Sequence, residues 1–239
     1  IPSNFFVLGE IANSCQDILK SISDGQHEIG SHGWSHNRPI TLPKKVFYEE
    51  LKQSKAVLED IANCPVEGYR ASCFSIDRAR LNEVKNAGFF YDSSRINFDK
   101  HPLYESIDMS GYKKHTKNIF FQGEFFEFQI TTKEIFGKNI PISGGGYLRI
   151  FPWFIMEKLI KSYLKSGNLF TLYIHPFELS SMQDPIFPKS SNLSTKVRFS
   201  YRRSRVIKKL SKLIKLLKSE DYEFITFSSL RNRLIADEK

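Results

Sequence analysis

The segment Ser31-His32-Gly33-Trp34-Ser35-His36 sets two imidazoles four residues apart, and neutral imidazole is a common ligand of zinc and similar divalent ions. Histidines at this spacing can converge on one ion when a tight loop or helix face carries both. The glycine and serines beside them argue for a loop, placed at the carboxyl end of a strand expected over residues 27–30. Two histidines do not complete a catalytic zinc site. Such a site takes a third protein ligand, a carboxylate or another histidine, and keeps an open position for water and substrate.

His175 closes the apolar run LFTLYIH and is followed by Pro176, which discourages further ladder pairing and leaves the imidazole at a strand end. A histidine there can act as a general acid, because the side chain titrates near neutral pH. It can equally be a hydrogen-bonded structural residue. Arg70 ends the run VEGYR, where a guanidinium either orients a catalytic carboxylate or makes a surface pair.

These residues need a scaffold that brings strand ends together, and the chain supplies an alternation of strand and helix signals. Residues 4–8 (NFFVL) read as a buried strand, 12–23 as a helix stopped at Gly25, and 27–30 as a second strand. Pro43 opens a helix whose Phe47, Leu51, Leu58 and Ile61 form one apolar stripe. Residues 66–70 read as a strand; Ser75 or Asp77 caps a helix through Leu81 and Val84, and 89–92 is again strand-like. An irregular excursion is expected over 95–122, followed by a strand over 125–130. Gly144–Gly146 lead through Pro152 into a helix carrying Met156, Leu159, Ile160 and Tyr163. A strand over 169–175, a basic helix, a last strand over 222–227 and a short terminal helix complete the reading. Alternation of this kind implies βα units, a largely parallel sheet, and sites at the carboxyl ends of its strands.

The 239 residues, 41% of them hydrophobic, fit one α/β domain spanning 1–239. Residues 185–219 hold eleven of the 35 basic residues and no acidic one. Within that stretch Val206, Ile207, Leu210, Leu213, Ile214 and Leu217 recur at helical spacing, so a helix with one apolar and one cationic face is expected. Such a helix packs on a core with a solvated lysine face, or docks through residues 203–219 on an anionic membrane surface or an acidic glycan. Nucleic acid is not an expected partner, because no binding motif or aromatic platform accompanies the charge. Cys15, Cys64 and Cys73 show no CxxC pair and read as reduced thiols. These features leave the compartment open, with the bacterial cytoplasm or the cytoplasmic face of its membrane weakly favoured.

Taken in order, FFVLGE, GQHEIGSHGWSH, GYRAS, GFFYDSS, SGGGYLR followed by a proline, and LYIHPFE resemble the motifs of the NodB-like polysaccharide deacetylases, carbohydrate esterase family 4. The resemblance covers roughly residues 3–180, with a family-like ending through Phe227. The glycine run and HPFE look most like the branch associated with bacterial exopolysaccharide synthesis. The resemblance implies an α/β fold, a distorted (β/α)7-type barrel, acting on N-acetylated polysaccharide. It makes His32 and His36 ligands of a divalent metal, zinc being the expected ion. His175 becomes the general acid, and Arg70 steadies an aspartate base. Tyr147 and Arg149, following three glycines that permit close backbone approach, become candidates for substrate contact, with an arginine-anchored structural loop as the other reading.

The departures are informative too. The family's first motif, a strand ending in an Asp-Asp pair that supplies the base and third ligand, would precede Asn4. The chain is therefore expected to lack the first barrel strand and to be inactive by itself. Ser72 stands where the family commonly has proline, so a less rigid loop is expected beyond Arg70. The alternative function is a noncatalytic glycan-binding protein with the same fold.

Overall fold

The computed structural model describes residues 1–98, 104–105, 107–180, 192–193, 196, 200–201 and 203–237. It divides into two compact units, Ile1–Gln129 with Phe224–Lys239, and Ile130–Glu223. Each is taken separately.

Seven strands of the first unit form one sheet: β1 (Asn4–Val7), β2 (Glu28–Ser31), β3 (Gly68–Tyr69), β4 (Tyr91–Asp92), β5 (Lys113–Thr116), β6 (Ile119–Gln122) and β7 (Phe125–Phe128). Their spatial order is β1-β2-β3-β4-β7-β6-β5. The first five in that order are parallel; β6 runs antiparallel to β7, and β5 antiparallel to β6. This is the α/β sheet the alternation implies. Among the described residues it is open, with β1 and β5 at its edges, so the expected barrel closure is not seen. β1 is accordingly an edge strand rather than a buried one, and Phe5 is 39% exposed.

The connecting helices are α1 (Gly9–Ala12), α2 (Gln16–Asp24), α3 (Lys44–Ala62) and α4 (Arg78–Asn86). α3 starts after Pro43 and ends at Asn63 in the left-handed region, buries Phe47, Leu51, Ser54, Leu58, Ile61 and Ala62, and packs against α1, α2 and α4. Of the two candidate caps for α4, Asp77 is the one used: its carboxylate accepts from the Arg80 amide at 2.8 Å. Gly68 is obligatory at β3, because a Cβ there would stand 1.9 Å from the Tyr91 ring carbon Cζ. The excursion expected over 95–122 contains the β5–β6 hairpin. Its outer strand, KKHT, is mostly exposed and carries no apolar alternation to announce it.

The last helix, α9 (Phe227–Asp237), docks at the amino ends of the strands. The Glu28 carboxylate accepts from Asn4 Nδ2 (2.6 Å), Tyr91 Oη (2.5 Å), and the amide and hydroxyl of Ser228 (3.0 and 2.7 Å). A carboxylate on the amides of a helix's first turn is favoured by the helix dipole. The Phe227 ring stacks on Phe128 at 4.7 Å. The strand expected over 222–227 does not form; Phe227 already opens the helix.

The second unit contains α5 (Gly145–Ile150), α6 (Trp153–Leu164), α7 (Pro176–Leu179) and α8 (Val206–Ser219), besides a hairpin of β8 (Thr132–Ile135) and β9 (Lys138–Pro141). Phe136 and Gly137, both at positive φ, make the two-residue turn whose hand matches strand twist. The strand expected over 169–175 is reduced to a single bridge between Tyr173 and Gly144. The basic helix is present as α8, and of its flanking cations Lys189, Arg198 and Arg202 lie outside the described residues. The three cysteines are unpaired.

The Glu28 cluster makes a prediction. Glu28→Gln leaves the Asn4 amide and Ser228 groups with one neutral acceptor, and is expected to lower unfolding stability by about 2 kcal/mol. Urea titration measures it; a loss below about 0.5 kcal/mol would show that the cluster does not hold α9.

Candidate metal and catalytic site

His32 follows directly on β2, and its amide donates to the Val7 carbonyl at the end of β1 (2.8 Å). Its Nδ1 lies 2.7 Å from the Arg70 carbonyl oxygen. A carbonyl can only accept, so Nδ1 carries the proton, and the neutral ring keeps its lone pair at Nε2. The His36 ring stands 5.1 Å from that of His32, tilted by 64°. The loop reaches this arrangement through positive φ at Gly33 (87°) and at His36 (57°). It is pinned by Gly9 N–H to the Gly33 carbonyl (2.9 Å), Glu10 N–H to the Trp34 carbonyl (3.1 Å), and Gly33 N–H to Ser31 Oγ (3.1 Å). Ser31 Oγ in turn bonds Ser54 of α3 at 2.8 Å.

Arg70 closes β3. Its Nε donates to the Ser93 carbonyl (2.8 Å) and its Nη2 to Ser93 Oγ (2.7 Å), while the guanidinium lies 4.3 Å over the Phe6 ring. Ser93 Oγ passes the chain on to the Phe128 carbonyl at the end of β7 (2.7 Å). The loop after Arg70 is tied despite Ser72 in place of proline: Ala71 N–H donates to Ser94 Oγ (2.8 Å), and the buried Ser72 hydroxyl reaches the His32 carbonyl (3.4 Å). Cys73 and Phe74 follow at φ of 56° and 54°, a left-handed pair that the surroundings must hold.

Asp92 and Glu127 are register partners on β4 and β7, and both are 0% exposed. Asp92 accepts from the Ser94 amide and hydroxyl (2.9 and 2.7 Å), and Glu127 from the Arg95 amide (2.9 Å). Burial, and then the adjoining Asp92 carboxylate, hold the Glu127 carboxyl well above the usual carboxylate range, and burial raises Asp92 as well. Both carboxyls are therefore biased toward the protonated form. Spacing along the chain carried no sign of this pair, since it arises from register across two strands.

In the second unit His175 precedes α7, with its side chain 52% exposed. Glu178, 2% exposed, accepts from the His175 amide (3.1 Å), and its carboxylate lies 3.4 Å from His175 Nδ1. Arg149, a candidate for substrate contact or for anchoring the loop, is 4% exposed, and its Nη1 lies 4.0 Å from Glu178 Oε1. A Cβ on Gly145 would come within 2.0 Å of Glu178, so this glycine makes room for the carboxylate. Tyr147 lies on α5 with its ring stacked on Phe151 at 6.3 Å. A signal for Glu178 was present in the sequence: proline at the first helical position and glutamate at the third mark a helix start.

The site residues thus fall into two sets, His32, His36 and Arg70 in one unit, and His175, Arg149 and Tyr147 in the other. The two imidazoles fit as two nitrogen donors to a divalent ion, because Nε2 of His32 is the nitrogen left with a lone pair. Among the described residues no group of three or more His, Cys, Asp or Glu side chains stands close enough to share an ion.

Glu127 supplies a test of the buried pair. Its folded-state pKa is raised, so the stability it contributes is full below the unfolded value and is lost as pH rises through the folded value. Wild type should therefore lose stability relative to Glu127→Gln with rising pH, by up to about 1.4 kcal/mol per pH unit. Parallel urea curves for the two proteins at every pH would contradict a raised Glu127 carboxyl.

Residues 1–91 match the polysaccharide deacetylase family model, and residues 97–231 match a domain of unknown function, DUF3473. A peptidoglycan deacetylase from Helicobacter pylori is 28% identical over 113 residues, 47% of this chain and 39% of that enzyme. The chain thus spans well under half of the curated relative it matches. A Mycobacterium smegmatis protein assigned to the polysaccharide deacetylases shares the fold over 95% of this chain and 75% of its own, at TM-score 0.54 and 17% identity. Puue allantoinase does so over 99% and 68%, at TM-score 0.63 and 14% identity. A carbohydrate esterase family 4 pseudoenzyme from Bacillus anthracis, BA3943, does so over 96% and 56%, at TM-score 0.52 and 11% identity. With its motifs in family order, its parallel sheet, and family models matched along most of its length, the chain belongs to the NodB-like polysaccharide deacetylases.

Proposed function

We propose that the protein is a metal-dependent hydrolase that removes N-acetyl groups from a polysaccharide or lipid-linked glycan, in carbohydrate metabolism or exopolysaccharide synthesis. The observation that carries this reading is the His32 Nδ1 to Arg70 carbonyl bond, which leaves a ligating nitrogen beside the His36 ring at the strand ends. The peptidoglycan deacetylase relative supports the substrate class.

His32 and His36 would hold the ion, for which zinc is the expected choice. Once bound, such an ion supplies Lewis acidity, polarising the acetyl carbonyl and easing ionisation of water. Arg70, braced by Ser93 and Phe6, would orient an aspartate base of the kind the family resemblance implies. His175 delivers a proton from Nε2 to the departing sugar amine, because Glu178 faces Nδ1 and turns the other nitrogen outward. Tyr147 and Arg149 are the candidates for substrate contact, Arg149 also facing Glu178.

Acetate release from N-acetylglucosamine polymers by the zinc-loaded natural full-length protein is the measurement. His32→Ala and His36→Ala are each expected to lower it by about a hundredfold or more. Undiminished release in either variant would contradict the assignment. Glu178→Gln is expected to reduce kcat with KM little changed, since it removes orientation of the acid and no substrate contact; a change in KM alone would contradict that role.

One observation favours a second reading, a noncatalytic glycan-binding protein. The described residues gather two imidazoles without a third ligand, and BA3943 is a pseudoenzyme with this fold. Glycan binding by the metal-loaded protein without acetate release would establish it.

A further inference from the structure

The net charge of +9 belongs wholly to one unit. Residues 130–223 carry 17 Lys and Arg against seven Asp and Glu, while the remainder carries 18 against 19. Within that unit the charge concentrates on two neighbouring helices, α6 and α8. Lys212 of α8 stands 5.9 Å over the Trp153 ring at the start of α6, which brings the two helices together there.

Their outer faces are cationic. Lys158, Lys161 and Lys165 are exposed along or just beyond α6, and Lys208, Lys212, Lys215 and Lys218 along α8. The acidic residue within these helices, Glu157, is paired with Lys161 at 2.9 Å. Two cations of the stretch serve the fold instead. Arg203 is 6% exposed and donates to the Ser180 carbonyl (2.8 Å), and Lys209 donates to the carbonyls of Leu148, Arg149 and Phe151.

Lys209 also brings the end of α5 and the start of α6 to the first turn of α8. That end of the helix pair carries large apolar side chains in solvent: Phe154 is 72% exposed, Ile207 49% and Ile150 46%. Phosphates attract the lysines wherever they come from, but an aqueous polyanion gives the phenylalanine and isoleucine side chains nothing to enter. A bilayer interface accepts both, taking apolar tips below the headgroups while lysines reach the phosphates. Among the described residues no helix is long and apolar enough to cross a membrane, so the contact would be peripheral.

We propose that the α6–α8 face is a docking surface for an anionic lipid bilayer, with Phe154 and Ile150 entering the interface and Lys208, Lys212 and Lys215 facing the headgroups. The test is sedimentation of the full chain with vesicles of phosphatidylcholine alone or with about 30% phosphatidylglycerol, at low and high salt. The expected result is binding to the anionic vesicles, weakened about tenfold or more by high salt and by Lys208, Lys212 and Lys215 replaced together with Gln. Phe154→Ser, at an exposed position that leaves the charge intact, should also weaken it. A circular dichroism spectrum matching wild type establishes that each variant is folded. No anionic-vesicle binding, equal binding to both vesicle types, or wild-type binding by Phe154→Ser would overturn the proposal. Retention on heparin or DNA without vesicle binding would overturn it in favour of an aqueous polyanion.

Discussion

The hydrogen bond from His32 Nδ1 to the Arg70 carbonyl ties the exits of β2 and β3 together and decides which nitrogen of His32 can act. Much of the first unit converges on it. The Ser31–Ser54 contact fixes where β2 ends, and the positive φ values at Gly33 and His36 fold the second imidazole back toward the first. The Arg70 guanidinium, clamped by Ser93 and stacked on Phe6, prevents the carbonyl from turning away. A loop this constrained holds its two rings close before any ion arrives, which lowers the ordering cost of binding.

Buried or half-buried carboxyls do the comparable work elsewhere. Glu28 receives donors from two strands and a helix at one end of the sheet, and Asp92 and Glu127 sit opposite one another at the other. In the second unit Glu178 is surrounded by the His175 amide, Arg149 and the space left by Gly145. Removing water from a carboxylate is costly, so each is compensated by charge-assisted bonds or by a retained proton. These groups set the geometry of segments with few apolar contacts of their own.

The helices were legible wherever one face is buried. α3 announced itself through its stripe and Pro43, and α8 through its apolar and cationic faces. The histidine pair, Arg70 and His175 were legible because their types and strand-end positions carry chemistry locally. Elements built by register were less so. Strands β3 and β4 form within the expected 66–70 and 89–92 but over two residues each, β5 is polar and gave no signal, and the 169–175 run is apolar yet makes only one bridge. The same holds for site residues: the Asp92–Glu127 pair and the Ser93 clamp exist only across strands. The barrel was an expectation from resemblance, and the described residues form an open sheet.

The central claim is that His32 and His36 are prearranged to bind one divalent ion through a tautomer set by Arg70. Histidine side-chain nitrogen–proton correlation spectra, recorded with and without zinc, address it without reference to activity. The account predicts a proton on Nδ1 of His32 before zinc is added, and zinc-dependent shifts at Nε2 of His32 and at the His36 ring in the same titration. A proton on Nε2 of His32 in the metal-free protein, or zinc shifts confined to other histidines, would contradict it.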